Sequence, residues 1–131
     1  MSLQFQQLRS PAILFAVLTL LSTSPVSALE PLQFNRDIRP ILSDRCFKCH
    51  GPDKASRKAT LRLDVAQEAY AERKKSGKHA IVPGNIEASL VCTKIFSTDA
   101  DEVMPPPDSN LSLTLREKET IRRWISEGCC K

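Results

Sequence analysis

The amino-acid sequence predicts a small all-α domain of about four short helices joined by long loops. Apolar residues recur at helical spacing in segments that Pro and Gly separate from one another. The alternation of apolar and polar residues that marks a half-buried strand is nearly absent. Because no repeat or low-complexity stretch follows the amino-terminal segment, we expect a single domain.

Residues 1–28 have the pattern of a secretory signal peptide. One basic residue, Arg9, precedes an apolar run from Pro11 to Leu21, and small residues then lead to an A-x-A-like site at Ala28. The run is too short for a comfortable membrane span. We expect cleavage after Ala28, export to the periplasm or an equivalent extracytoplasmic compartment, and a mature domain over residues 29–131 without a membrane span.

The mature segment is only mildly basic. The whole chain has 19 Lys and Arg against 15 Asp and Glu, and loss of Arg9 with the leader lowers the net charge from +4 to +3. This excess is too small to indicate a nucleic-acid partner. We interpret the basic run Arg73-Lys74-Lys75, which has no interleaved aromatic residues, as a solvated helix end; docking of an acidic partner protein is the alternative.

The first two helices are predicted from apolar spacing and capping residues. The first runs from about Asn35, its N-cap, to Cys49, and Pro40 limits its first turns. The second begins at Asp64, which resembles an N-cap, and ends near Gly77.

The last two helices follow clearer start signals. Asn85 follows a Pro-Gly turn and is the predicted N-cap of a helix that carries apolar residues from Ile86 to Ile95. Thr114 and Glu117 form a predicted capping box for the final helix, which ends before Gly128.

Residues 46–50, CFKCH, place two thiols and an imidazole in five consecutive positions. Cys46 and Cys49 have the spacing that adds to the two vinyl groups of a haem, and His50 follows as the proximal ligand of the iron. Export agrees with this interpretation, because c-type haem is attached outside the bacterial inner membrane. We therefore predict covalently bound haem c as the cofactor.

Two other chemistries use a CxxC pair, and both stay open as alternatives. Zinc would need further ligands, but the remaining candidates, His79, Cys92 and the pair Cys129-Cys130, are scattered widely. A thiol oxidoreductase would place its cysteines between a strand and a helix, whereas here they close a predicted helix.

Met104 is the predicted distal ligand of the iron. It is the one methionine after the initiator, and it precedes Pro105, Pro106 and Pro107, which hold the backbone extended. Electron-transfer cytochromes commonly fill the sixth position with a Met thioether. The alternatives are that Met104 only fills the core, or that His79 is the ligand and gives a bis-His haem of lower potential.

These segments together resemble the planctomycete-type cytochrome c domain. The resemblance rests on FNRDIRPILSDRCFKCHGPD, LRLD, IVPGNIEASLV and VMPPPDSNLSLTLREKETIRRWISEG, within residues 34–128. It implies a small, mainly helical, class I-like cytochrome c fold around one covalently bound haem. It also implies thioether links at Cys46 and Cys49. The iron would be ligated by His50 and Met104.

The resemblance also implies that Trp124, in the last helix, packs against the first helix. It does not decide whether the domain is freestanding or part of a longer multidomain protein. With two cysteines linked to haem, Cys92, Cys129 and Cys130 form an odd set. A bridge from Cys92 to the terminus, a vicinal disulfide and a disulfide-linked partner all stay open.

The expected function is that of a periplasmic one-haem electron carrier rather than an enzyme. It would take single electrons from a donor protein and pass them to an acceptor protein, neither of which the sequence identifies. The alternative is a haem-containing binding or sensing module that is attached to or serves a larger multidomain partner without electron-carrier turnover.

Overall fold

The computed structural model describes residues 30–129, so the predicted signal peptide and Cys130 lie outside the described residues. Within these residues, no helix has both the length and the hydropathy of a membrane span. The elements in chain order are a π-helical turn Phe34–Ile38, α1 Arg39–Arg45, α2 Phe47–His50, α3 Ala66–Tyr70, β1 Glu72–Arg73, β2 Lys78–His79, α4 Leu90–Ile95, a 3-10 turn Pro107–Ser109 and α5 Leu115–Ser126.

The first predicted helix forms, but in three consecutive pieces. The π-helical turn leads into α1, and Cys46 separates α1 from α2. The helix begins at Phe34, so Asn35 is not its N-cap. The carboxylate of Asp37 accepts a hydrogen bond from the backbone N–H of Gln33 at 2.7 Å, which stabilises this earlier start.

The prediction of the second helix is wrong at both ends. Asp64 does not cap it, because its carboxylate is bound to the Arg62 side chain, with the Arg62 Nε atom 3.1 Å from Oδ1. The helix α3 stops at Tyr70, since Ala71 is extended with ψ 149°.

A two-stranded antiparallel hairpin occupies the second half of that predicted helix. Gly77, at φ +66°, turns the chain so that Glu72 pairs with His79 and Arg73 with Lys78. The domain is therefore mainly helical, as predicted, but it is not all-α. Arg73 lies half-buried in β1 rather than at a solvated helix end.

The third helix starts later than Asn85. The Asn85 side chain accepts a bond from the Ala88 N–H at 3.0 Å and closes a turn. Ser89, which is fully buried, accepts a bond from the Val82 N–H at 2.8 Å and donates to the Asn85 carbonyl at 2.7 Å. These bonds hold residues 82–89 in a loop, so α4 begins only at Leu90.

The final helix is as predicted. The Thr114 hydroxyl accepts a bond from the Glu117 N–H at 3.2 Å, and the Glu117 carboxylate accepts one from the Thr114 N–H at 2.7 Å. This capping box begins α5, which ends at Ser126. On its inner face Trp124 is buried, and its ring centroid lies 5.6 Å from that of Phe34. Trp124 thus packs against the first helical segment, as the resemblance implied.

The core is formed where the amino-terminal helical segment, α4 and α5 meet. Its fully buried apolar side chains come from the first and last of these segments, and α4 adds two more buried residues. The most enclosed members are Ile38, Leu42, Cys92, Ile95, Ile121, Trp124 and Ile125.

Candidate functional site

The CFKCH segment forms the last helical turn of the amino-terminal segment. The backbone N–H groups of Cys49 and His50 both bond to the Cys46 carbonyl, at 3.1 and 2.8 Å. A side chain at Gly51 would not fit, because a Cβ there would lie 2.3 Å from the Phe47 carbonyl oxygen. Glycine therefore lets the chain leave the helix immediately after His50.

The loop that follows is bonded back onto this turn. The Lys58 N–H donates to the Cys49 carbonyl, and the Leu63 N–H donates to the His50 carbonyl, both at 2.8 Å. The Arg57 side chain also donates to the Gly51 carbonyl at 2.9 Å. These bonds fix the backbone on both sides of the imidazole.

Above this turn lies a cavity of two adjoining lobes, of about 310 and 190 Å³. Protein ligand pockets commonly measure about 300–1,000 Å³. Cys46, His50 and Met104 line both lobes, and Cys49 lines the larger one. Most of the remaining wall is apolar: Ala59, Leu61, Leu63, Ala80, Leu90, Val91, Ile95, Pro105, Pro106 and Leu111.

The imidazole of His50 is held in a form suited to metal binding. Burial is the main cause that lowers its pKa, so the ring is neutral at pH 7 and offers a nitrogen lone pair. Its Nδ1 atom is buried and has no hydrogen-bond partner among residues 30–129. Such an orphaned ring nitrogen is unusual in a protein interior and is consistent with a site that a bound group completes.

Met104 reaches the cavity from a separate loop that is anchored on α4. Its backbone N–H donates to the Lys94 carbonyl at 3.1 Å, and the neighbouring Val103 N–H donates to the Asp99 carbonyl at 2.8 Å. Lys94 also forms an ion pair with Glu102. The peptide bond between Met104 and Pro105 is cis. The loop therefore brings a thioether to the cavity that His50 also lines.

Residues 46–108 match the family model of planctomycete cytochrome C. The match supports a planctomycete-type cytochrome c domain in this part of the chain. The matched segment starts at Cys46 and includes Cys49, His50 and Met104. Neither a curated protein nor a solved structure matches the chain. A cytochrome c domain of this family implies covalently bound haem.

The donor set of the cytochrome c domain fits that group. Cys46 and Cys49 are both free thiols, as attachment to two vinyl groups requires. Burial, and then the neighbouring Cys49, raise the pKa of Cys46 to about 12. Redox-active CxxC pairs instead rely on a lowered thiol pKa. The environment of Cys46 therefore lacks the activation that the thiol-oxidoreductase alternative needs.

The other candidate ligands lie elsewhere in the cytochrome c domain. His79 lies in β2, and its Nδ1 atom is 2.8 Å from the Tyr70 carbonyl oxygen. Neither His79 nor Cys92 nor Cys129 is among the residues that line the two lobes. Among residues 30–129, the further ligands that the zinc alternative requires are thus not at the cavity where Cys46 and Cys49 lie, and Cys130 lies outside the described residues.

Sequence reasoning missed the charged residues of the cavity wall, of which Arg73 is the one that had been assigned to a solvated helix end. Arg73 lines the smaller lobe, together with His50 and Met104. The sequence carried a signal for this position, because Ser76-Gly77 is a turn signal directly before Lys78 and completes a four-residue loop between Arg73 and Lys78, as in a hairpin. A hairpin directs Arg73 inwards, whereas the predicted helix end would have directed it to solvent.

Proposed function

We propose that the protein is an exported mono-haem c-type cytochrome that transfers single electrons, with a cytochrome c-like fold over residues 29–131. The observation that carries this proposal is that Cys46, Cys49, His50 and Met104 line one cavity. A motif of local residues and a methionine from a distant loop meet there. The family match supports the same conclusion.

Each of these side chains has a distinct role in the proposal. The Cys46 and Cys49 sulfurs would each bond to one carbon of a haem vinyl group, and each thiol proton would pass to the other carbon of the same group, so attachment would need no oxidant. His50 would be the proximal ligand through a ring nitrogen, and Met104 would be the distal ligand through its sulfur, a ligand type that raises the reduction potential. The apolar walls exclude water. When bound, haem supplies a one-electron iron couple between Fe(II) and Fe(III).

The partners in this proposal are a donor protein and an acceptor protein, each exchanging one electron with the haem iron. A carrier needs no acid-base machinery of its own, and in this proposal His50 and Met104 would both be bound to the haem iron. We therefore propose electron transfer rather than enzymatic turnover. Export through the predicted leader would deliver the chain to the compartment where c-type haem is attached.

Covalent attachment is tested by expressing the chain with a cytochrome c maturation system and staining for haem after denaturing electrophoresis. We expect the wild type and Cys92→Ala to keep the stain, because Cys92 lies away from the cavity. The double variant Cys46→Ala/Cys49→Ala should lose it. A wild type without stain, whose CxxC thiols react with an alkylating reagent, would instead support the thiol alternative.

A redox titration of the stained protein separates a carrier from a binding or sensing module. A carrier should follow a one-electron curve, with about 59 mV per tenfold change in the ratio of oxidised to reduced protein. Its reduced spectrum should not respond to carbon monoxide, because Met104 occupies the sixth position. A clear response to carbon monoxide would favour the module.

A further inference from the structure

Arg73 is a half-buried cation in the wall of the smaller lobe. Among residues 30–129, it has no carboxylate within ion-pair distance, in contrast to two other basic residues of the cavity. Arg45 lies 3.4 Å from the Glu117 carboxylate, and Lys94 is paired with Glu102. Lys48 and Lys58 also border the larger lobe, but both are exposed to solvent.

The surroundings of Arg73 favour an anionic partner. The other residues of its lobe are mainly apolar, and a charge in such surroundings is costly unless it is paired. The planar guanidinium also offers two parallel N–H donors, which match the two oxygens of a carboxylate. The described part of the chain provides no such carboxylate, so a bound group is the natural source.

The guanidinium is held in place by an unusual loop. Its Nη2 group donates to the Ala59 carbonyl. Ala59 and Thr60 are consecutive non-glycine residues in the left-handed region, at φ +51° and +54°. That conformation is unfavourable for residues that carry a Cβ atom, so it needs support from its surroundings. The bond to Arg73 provides such support and fixes Arg73 beside Ala59, which lines both lobes.

We propose that Arg73 binds a propionate carboxylate of the haem and so orients the group in the cavity. This inference rests on the proposed function, because it requires haem at the site. A haem carries two propionates, and one of them would give Arg73 the carboxylate that the protein does not supply. Arg73 is a positioning residue, and the carboxylate would be bound by the donors that Ala59 does not engage.

The test compares Arg73→Gln, Arg73→Lys and the matched control Lys75→Gln in the haem-loaded protein. Lys75 belongs to the same basic run but is exposed, so its loss removes the same charge outside the cavity. Two quantities are measured: the reduction potential, and the propionate carboxylate bands in redox-induced infrared difference spectra.

We expect the reduction potential to fall in Arg73→Gln, and this fall should be severalfold larger than in Lys75→Gln. The reason is that an unpaired propionate stabilises the more positive oxidised iron. Arg73→Lys keeps the charge and should cause a smaller fall. The propionate bands should shift in both Arg73 variants and stay unchanged in Lys75→Gln. If Arg73→Gln does not accumulate as folded protein, the propionate bands of wild type are compared with those of Arg73→Lys alone. A shift of the bands then supports the inference, and unchanged bands overturn it.

The outcomes separate this inference from the function on which it rests. Covalent haem with unchanged propionate bands in the Arg73 variants would overturn the role of Arg73 and leave the cytochrome proposal intact. A wild type without covalent haem would overturn both. A loss of thermal stability with unchanged bands and potential would show that Arg73 only supports the loop at Ala59, and would also overturn the inference.

Discussion

Gly51 shows how a single residue determines the position of His50, the proposed iron ligand beside it. Its backbone is extended, so glycine is not needed there for conformational freedom. It is needed for space, because any Cβ would approach the Phe47 carbonyl oxygen to 2.3 Å and the Phe47 Cβ to 2.8 Å. Both are atoms of α2, and the backbone oxygen cannot rotate away. A larger residue would push the helical turn that carries His50.

We expect Gly51→Ala to lower the free energy of unfolding by about 1–3 kcal/mol, the usual cost of overpacking. The yield of haem-stained protein should fall as well, because His50 moves with the turn. Thermal unfolding and haem staining measure the two effects.

Gly84→Ala is the control for Gly51→Ala. A methyl group at Gly84 would meet no crowding atom within 4 Å, but the φ of +79° disfavours alanine. Gly84→Ala should lower the free energy of unfolding by about 1–2 kcal/mol through backbone conformation alone, and it should leave the haem yield unchanged. Gly51→Ala protein with wild-type stability and haem yield would contradict the steric account.

The residues of the site differ in how far the sequence could predict them. Cys46, Cys49 and His50 are contiguous, so one helical turn is enough to bring them together. Met104 was predicted as a ligand because of its rarity and its prolines, and the structure places it on the same cavity as His50. Arg73 was missed because the second helix was predicted to continue to Gly77, whereas the chain leaves the helix after Tyr70 and pairs as a hairpin.

At the scale of elements, α5 forms as predicted because its signals are local. Its capping box lies within four residues, and its buried face repeats with helical period. The second and third predicted helices begin elsewhere because other side-chain bonds compete with their predicted caps. The carboxylate of Asp64 binds Arg62 instead of a helix start, and the buried hydroxyl of Ser89 holds a loop where a helix was predicted.

The capping box of α5 leads to a prediction about pH. The backbone N–H of Thr114 is the main cause that lowers the pKa of Glu117, with the Thr114 hydroxyl and Arg45 adding to it. A lowered folded-state pKa stabilises the protein above the unfolded value, ordinarily 4.5, and this stabilisation is lost as pH falls through the folded value. Glu117→Gln should therefore reduce stability at pH 7 by about 0.3–1 kcal/mol.

The difference between wild type and Glu117→Gln should shrink as the pH is lowered below about 4.5, as measured by urea unfolding at several pH values. Glu119→Gln is the matched control on the same helix. Its carboxylate pairs with the exposed Arg122 side chain, so its effect at pH 7 should be smaller. An effect of Glu117→Gln that does not depend on pH would contradict the role of its charge.

At the scale of the whole molecule, the cavity is lined by helices that are too short to be stable on their own. The helices α2 and α4, which both line the cavity, have four and six residues, too few to be stable without packing. They contribute to a core that surrounds a two-lobed cavity rather than filling it. A large apolar group attached to Cys46 and Cys49 would fill that space. We therefore expect the haem to be part of the folded core.

The measurement that most directly tests ligation of the iron by His50 and Met104 is the absorption spectrum of the oxidised protein, matured with haem. Wild type, Met104→Ala and His79→Ala are compared. We expect the weak sulfur-to-iron band near the red end in wild type and in His79→Ala, and its loss in Met104→Ala. A spectrum in which the band survives Met104→Ala, or is absent from haem-loaded wild type, would contradict this ligation.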